Sequence, residues 1–254
     1  MKFLALIPAR YASTRFPGKP LADLMGKPMI QHVYEKAHAV FDACYVATDD
    51  ERIQQAVQAF GGKVVMTSEK HPSGTDRCRE AWENVCRETG EQFDVVVNIQ
   101  GDEPFVSREQ LELIQQCFAD ARTDIATLVK PFGANEDIFN PNSPKVAVSA
   151  QGYALYFSRS VIPYQRGMES SQWQNSFKYL KHIGMYAYRT EVLREITDLP
   201  RGVLEQCESL EQLRWLENGY TIKVGISEVE TIGIDTPQDL ARAEKFLLEH
   251  KEIK

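Results

Sequence analysis

Residues 3–21 read FLALIPARYASTRFPGKPL, and the fold turns on how this stretch divides. Phe3 to Ile7 is an unbroken apolar run of strand length, the pattern of a strand buried on both faces. Pro8 ends the run, and three cations follow it: Arg10, Arg15 and Lys19, with Ala12, Ser13, Thr14 and Gly18 between them. In an open α/β sheet, ligands bind outside the carboxyl ends of the strands, so a buried strand opening into a cationic loop points to an anion. Arginine offers a planar fork for phosphate oxygens and lysine a compact point charge. Ser13, Thr14 and Gly18 add hydroxyls and closely approaching backbone N–H groups. A solvated basic loop would carry the same charges, so spacing alone leaves both readings open. The loop is not a Walker motif, because GxxxxGK[ST] is absent, and no GxGxxG follows the strand as a dinucleotide dehydrogenase would require.

Beyond this stretch the pattern alternates. Residues 28–40 put Met29, Ile30, Val33, Ala37 and Val40 on one helical face, and 44–48 is a strand closed by Asp49 and Asp50. Residues 51–60 predict a helix ended by Gly61-Gly62, 63–67 a short strand, 75–88 a helix, 93–99 the strongest strand of the chain and 107–121 another helix. Such β-α-β-α order implies a mostly parallel sheet covered by helices. The pattern then changes: 145–149 and 153–158 read as a hairpin turning at Gln151-Gly152, and 181–188 as a further strand. A helix over 204–218, a strand over 220–226 and a last helix near 237–249 complete the reading, which is a single α/β domain with an antiparallel insertion at about 130–225.

Composition sets outer bounds. The 254 residues are 43% hydrophobic and 26% charged, with a formal net charge of −7. That balance argues against a nucleic-acid binder held by bulk charge, but not against a local cationic pocket. The five cysteines, Cys44, Cys78, Cys86, Cys117 and Cys207, are odd in number and never spaced CxxC, which predicts reduced thiols in a cytoplasm. No secretory leader pattern and no membrane-length apolar stretch is visible, so no membrane association is expected.

Carboxylates recur where a metal could use them. Asn98-Ile99-Gln100-Gly101-Asp102-Glu103-Pro104 ends the strongest strand, and Asp235 follows an apolar stretch just before Pro237. Magnesium takes one or two carboxylates together with phosphate oxygens and water, and Asp102 with Asp235 would supply that pair. Equally, Asp102 suits a turn, and Asp235 with Thr236 a helix cap. Ser73-Gly74-Thr75-Asp76-Arg77 suits a cap at the start of a helix. Glu205, Glu208 and Glu211 recur every three residues, as in a solvated helical face. His182 has no partner spacing for a general base, and His32, His38, His71 and His250 have none for a metal.

The ordered blocks resemble the 3-deoxy-manno-octulosonate cytidylyltransferase (CMP-Kdo synthetase) family along nearly the whole chain. They are Ile7–Leu21, Ala47-Thr48-Asp49, Ser73–Arg77, Asn98–Pro104, Tyr153–Arg159, Lys181–Tyr186, Leu210–Arg214 and Gly233–Pro237. The resemblance implies a three-layer Rossmann-like nucleotidyltransferase, with an inserted subdomain for substrate and dimerisation. It implies transfer of CMP from CTP to the anomeric 2-hydroxyl of Kdo, for lipopolysaccharide assembly, in a cytoplasmic homodimer with Mg²⁺ as cofactor. It assigns catalysis to Arg10, Arg15, Lys19, Asp102 and Asp235, the last two as the metal ligands. The CTP contacts it implies are Leu6, Ala9, Arg10, Ser13, Arg15, Lys19, Ser73 and Arg77. The Kdo contacts are Gln100, Arg159, His182, Tyr186, Glu208 and Glu211, with His182 and Tyr186 on one face of a strand. The nearest rival is a sister cytidylyltransferase for another sugar acid, such as 8-amino-Kdo or a sialic-type acid. A catalytically dead nucleotide-binding regulator is a further reading.

Overall fold

The computed structural model describes residues 1–12, 16–229, 233, 234 and 236–251. The chain divides into two units, one of Met1–Leu111 with Thr231–Lys254, the other of Glu112–Glu230.

In the first unit, β1 (Phe3–Ala9) is followed by a small ribbon of β2 (Asp23–Leu24) and β3 (Lys27–Pro28), then α1 (Met29–His38). Next come β4 (Ala43–Thr48), α2 (Glu51–Ala59), β5 (Val64–Met66), α3 (Gly74–Thr89) and β6 (Val95–Asn98). β1 pairs in parallel with β4 on one side and β6 on the other, and β4 pairs in parallel with β5. Leu4, Leu6 and Ile7 are fully buried, as expected for a central strand covered on both faces, each contributing about 1.5–3 kcal/mol. Local signals set the helix ends. Asp50 caps α2 by accepting from Arg52 N–H, and Ser73 caps α3 by accepting from Asp76 N–H, a contact of about 1 kcal/mol. Gly90 closes α3 with φ of 74°, the left-handed backbone that glycine adopts freely.

The strand order β6-β1-β4-β5 contains a reversal. The chain steps from β1 to β4 to β5, then crosses back over both to form β6. Right-handed crossovers therefore put α1 and α2 on one face and α3 on the other. The reversal makes the gap between the carboxyl ends of β1 and β6 the topological switch point, where such sheets bind ligands.

α4 (Arg108–Gln116) runs across the division of the chain. The second unit holds β7 (Ile125–Pro131), β8 (Lys145–Val148), β9 (Ala154–Ser158), the short α5 (Trp173–Ser176) and β10 (Leu180–Arg189). α6 (Thr190–Thr197), α7 (Val203–Glu208), α8 (Gln212–Glu217) and β11 (Ile222–Ile226) follow. β10 pairs antiparallel with β7 and β8, β8 antiparallel with β9, and β11 parallel with β7. α9 (Pro237–Lys251) returns the chain to the first unit. The mostly parallel sheet and the antiparallel hairpin at 145–158 agree with the expected fold class.

Three sequence expectations need correction. The strand β7 and the helix α6 lie in stretches to which periodicity assigned no element. The helix expected over 204–218 is two helices, α7 and α8, separated at Ser209, whose φ is 51°. Glu205, Glu208 and Glu211 therefore do not share one helical face: Glu208 ends α7 and Glu211 precedes α8.

Candidate functional site

The switch point holds a cleft of about 200 Å³ lined by Pro8, Ala9, Arg10, Ala12, Lys19, Pro20, Gln100, Gly101 and Asp102. β1 delivers the first residues and the turn after β6 delivers the last. The two come very close: a Cβ on Gly101 would stand 2.9 Å from the Pro8 carbonyl oxygen, so only glycine fits there. Gly18 lies in left-handed backbone, φ 71°, and its N–H reaches back to the Tyr11 carbonyl at 2.9 Å, closing the loop and starting the 3₁₀ turn that carries Lys19.

Lys19 Nζ donates to Asp102 Oδ2 at 2.6 Å, with the two side chains 14% and 33% exposed. Charged groups so little solvated hold one another in place until a ligand exchanges the contact. The next side chain, Glu103, has no partner for its buried Oε2 among the described residues, and burial together with the Asp102 charge pushes its carboxyl up to about 7. Asp102 also offers its backbone: Ile234 N–H donates to the Asp102 carbonyl at 3.0 Å. Asp235 itself lies outside the described residues, as do Ser13 and Arg15. At the start of α9, Thr236 and Asp239 bond each other's side chains and backbone N–H groups in a capping box.

Arg10 lies between this cleft and a second cavity of about 470 Å³ lined by Tyr11, Asp49, Asp50, Arg52, Glu69 and Lys70. Its Nη2 donates to the His71 carbonyl at 2.5 Å and the Ser73 carbonyl at 3.3 Å. Burial first, and the charge of Arg77 second, lower its pKa from the ordinary value. Of the other residues expected around CTP, Leu6 is buried in β1 beside Asn98, and Ser73 is committed to the α3 cap. Arg77 is fully buried; its Nη1 donates to Thr67 Oγ1 at 2.6 Å and its Nη2 to Asp49 Oδ2 at 2.7 Å, and Nε has no partner among the described residues. It ties α3 to the ends of β4 and β5, and removing one partner of such a buried pair typically costs about 3–5 kcal/mol. Asp49 and Thr67 were not picked out in this role from sequence, although Ala47-Thr48-Asp49 was among the matching blocks.

The residues expected around the sugar acid lie in the second unit, apart from Gln100. His182 Nε2 lies 3.0 Å from Thr127 Oγ1, whose single proton has backbone acceptors in the carbonyls of Met185 at 2.8 Å and Ile183 at 3.3 Å. Thr127 therefore accepts from His182 Nε2–H, and Nδ1 is left as an acceptor. Packed against Phe157 and Tyr186, the imidazole is pushed by burial down to about 4, which keeps it neutral. The His182 and Tyr186 rings are 5.3 Å apart, on one side of β10 as the spacing implies. β10 has two residues more than β7 between the Ile183 and Tyr186 pairings, and an even excess preserves the alternation. Among the described residues the buried Tyr186 hydroxyl has no hydrogen bond of good geometry, Thr127 being its near polar neighbour, and burial, with Tyr188 and Glu211 nearby, raises its pKa well above the ordinary value. A buried hydroxyl without a partner suits a substrate group.

Arg159 and Glu208 behave differently from the expectation of free ligands. Glu208 accepts from Ser158 Oγ at 2.7 Å and from Arg159 N–H at 2.9 Å. The Arg159 guanidinium donates to the carbonyls of Glu208, Pro141 and Ser209 at 2.6, 2.9 and 3.2 Å. The buried Lys145 donates to the Arg159 carbonyl at 2.8 Å. This network holds the α7–α8 break. Glu211 lies 3.5 Å from Arg214.

The cytidylyltransferase family profile matches residues 4–226. The chain is 63% identical over 251 residues to the 3-deoxy-manno-octulosonate cytidylyltransferase of Parabacteroides distasonis, covering 97% of this chain and 98% of that protein. It is 66% identical over 250 residues to that of Phocaeicola vulgatus, with the same coverage of 97% and 98%. A solved structure of a CMP:2-keto-3-deoxy-manno-octonic acid synthetase complexed with CTP aligns with a TM-score of 0.88 and 44% identity, over 98% of this chain and 100% of that one. By the matched profile and by identity to these relatives over nearly its full length, the chain belongs to the 3-deoxy-manno-octulosonate cytidylyltransferase family.

Proposed function

We propose that this protein transfers CMP from CTP to the anomeric 2-hydroxyl of Kdo, releasing pyrophosphate and supplying CMP-Kdo for lipopolysaccharide synthesis. The observation that carries this reading is the switch-point cleft, where Lys19, Arg10, Gln100 and Asp102 converge. In the reaction the hydroxyl oxygen bonds to the α-phosphorus, its proton leaves, and the bond from that phosphorus to the β-phosphate oxygen breaks. No covalent enzyme intermediate is required, so the protein's work is placement and charge stabilisation. Lys19 exchanges its contact with Asp102 for phosphate oxygens, and Arg10 and Arg15 add two more cations. For the sugar acid's hydroxyls the candidates are His182 Nδ1, the Tyr186 hydroxyl and Glu211 in the second unit, and Gln100 in the first. Arg159 and Glu208 join them, through the backbone they order.

The donor set fits magnesium. Asp102 lines the cleft with hard carboxylate oxygens of the kind magnesium takes, and among the described residues the buried Glu103 Oε2 beside it has no hydrogen-bond partner. Asp102 and Asp235 would hold the ion, which when bound neutralises phosphate charge. We also propose a homodimer formed through the second unit. Phe139, Tyr164, Met168 and Phe177 are large apolar side chains exposed there, whereas in Tyr153–Phe157 only Leu155 stands out into solvent and Phe157 is fully buried. The five free thiols suit the reducing cytoplasm.

A substrate panel tests the reaction. With CTP and Mg²⁺, Kdo is expected to give pyrophosphate with a kcat/KM at least roughly tenfold above that for 8-amino-Kdo or a sialic acid. Preference for another acid would move the protein to the sister reading, and CTP binding without pyrophosphate release from any acid would make it a regulator.

A further inference from the structure

The cleft leaves one question open: what holds Arg10 toward the nucleotide. Its guanidinium is partly desolvated and stands among the charges of Arg77, which repels it, and of Asp49 and Asp76, which attract it. Its hydrogen bonds go to two backbone carbonyls, those of His71 and Ser73. Both belong to the segment 67–73, which joins β5 to α3 without regular secondary structure. One side chain gathers that segment. Glu80, on α3, accepts the Ser68 N–H at 2.8 Å and, through the same Oε2, bonds His71 Nε2. α3 is itself anchored by the Ser73 cap and by Arg77 on Asp49 and Thr67.

We propose that Glu80 and His71 are positioning residues for Arg10: the Glu80 carboxylate draws the 68–71 segment onto α3, and the carbonyls so placed aim the guanidinium at the triphosphate. Neither residue need touch CTP. The arrangement engages Arg10 through Nη2, and the guanidinium has further N–H donors for phosphate oxygens. The proposal rests on the reading of the switch-point cleft as the CTP site.

A double-mutant cycle tests it, with Arg10→Ala and Glu80→Ala separately and together, each assayed for pyrophosphate release and for CTP affinity by calorimetry. Glu80→Ala is expected to raise KM for CTP about tenfold, within the range for coupled neighbours, and to leave kcat and KM for Kdo within about twofold. Glu80→Gln, which keeps the size and loses the charge, is expected to give a smaller rise. In the Arg10→Ala background, adding Glu80→Ala is expected to change CTP affinity less than about twofold. An equal loss in both backgrounds, or a fall in kcat alone, would overturn the proposal, since a merely structural role does not depend on Arg10. Should Glu80→Ala fail to fold in a thermal melt, the same cycle with Glu80→Gln decides by the same criterion. A wild-type protein that releases no pyrophosphate from CTP and Kdo would instead overturn the underlying functional reading, while the calorimetric cycle would still decide the role of Glu80.

Discussion

Lys19→Met is expected to lower kcat/KM for CTP by roughly 10²–10³-fold, the usual loss when one preorganised charge-stabilising donor is removed. Methionine keeps an unbranched apolar stem as far as Cε and removes the ammonium with its charge and donors, so the loss reports electrostatics rather than packing. The local backbone makes the expectation strong. Lys19 opens a 3₁₀ turn whose preceding residue, Gly18, is fixed in left-handed backbone and hydrogen-bonded to Tyr11. Its ammonium thus starts in place, 2.6 Å from Asp102 on the cleft wall. Lys19→Arg keeps the charge in a planar form and should recover only part of the rate. Steady-state pyrophosphate release checks both variants, and a Lys19→Met enzyme within about fivefold of wild type would remove Lys19 from the reaction.

Asp102→Asn is expected to lower kcat by roughly 10²-fold or more and to raise the Mg²⁺ concentration needed for half-maximal rate. Asparagine is isosteric and leaves the backbone contact from Ile234 N–H to the residue 102 carbonyl available, so folding should survive. What is lost is the negative charge, which answers Lys19 in the free protein and would answer the metal once CTP arrives. A magnesium titration of pyrophosphate release separates these roles. An unchanged Mg²⁺ requirement with a lowered rate would assign Asp102 to positioning Lys19 alone.

Much of this site was legible in the sequence because its signals are local. The apolar run of β1 followed by Pro8 and three cations marks a strand end and its charge, and Gly101 before Asp102 marks a close turn. Parallel topology then follows from element order, and the switch point from topology. The strand β7 escaped because IATLV is a short, mostly apolar run, which periodicity cannot tell from a piece of buried helix. The break between α7 and α8 escaped because its cause is distant. Every residue from 204 to 218 tolerates a helix, but Arg159, some 50 positions away, bonds the carbonyls of Glu208 and Ser209 and holds Ser209 in left-handed backbone. The same holds for Arg77 with Asp49 and Thr67. The family resemblance implied a nucleotide contact, and only the packed structure reveals a buried tie between three elements.

The most direct test of the account is to follow the phosphorus. ³¹P NMR of wild-type protein with CTP, Mg²⁺ and Kdo should show a phosphodiester resonance of CMP-Kdo growing one for one with pyrophosphate, and Lys19→Met should show neither on the same timescale. Orthophosphate in place of pyrophosphate, or a phosphodiester formed equally well without Lys19, would contradict it.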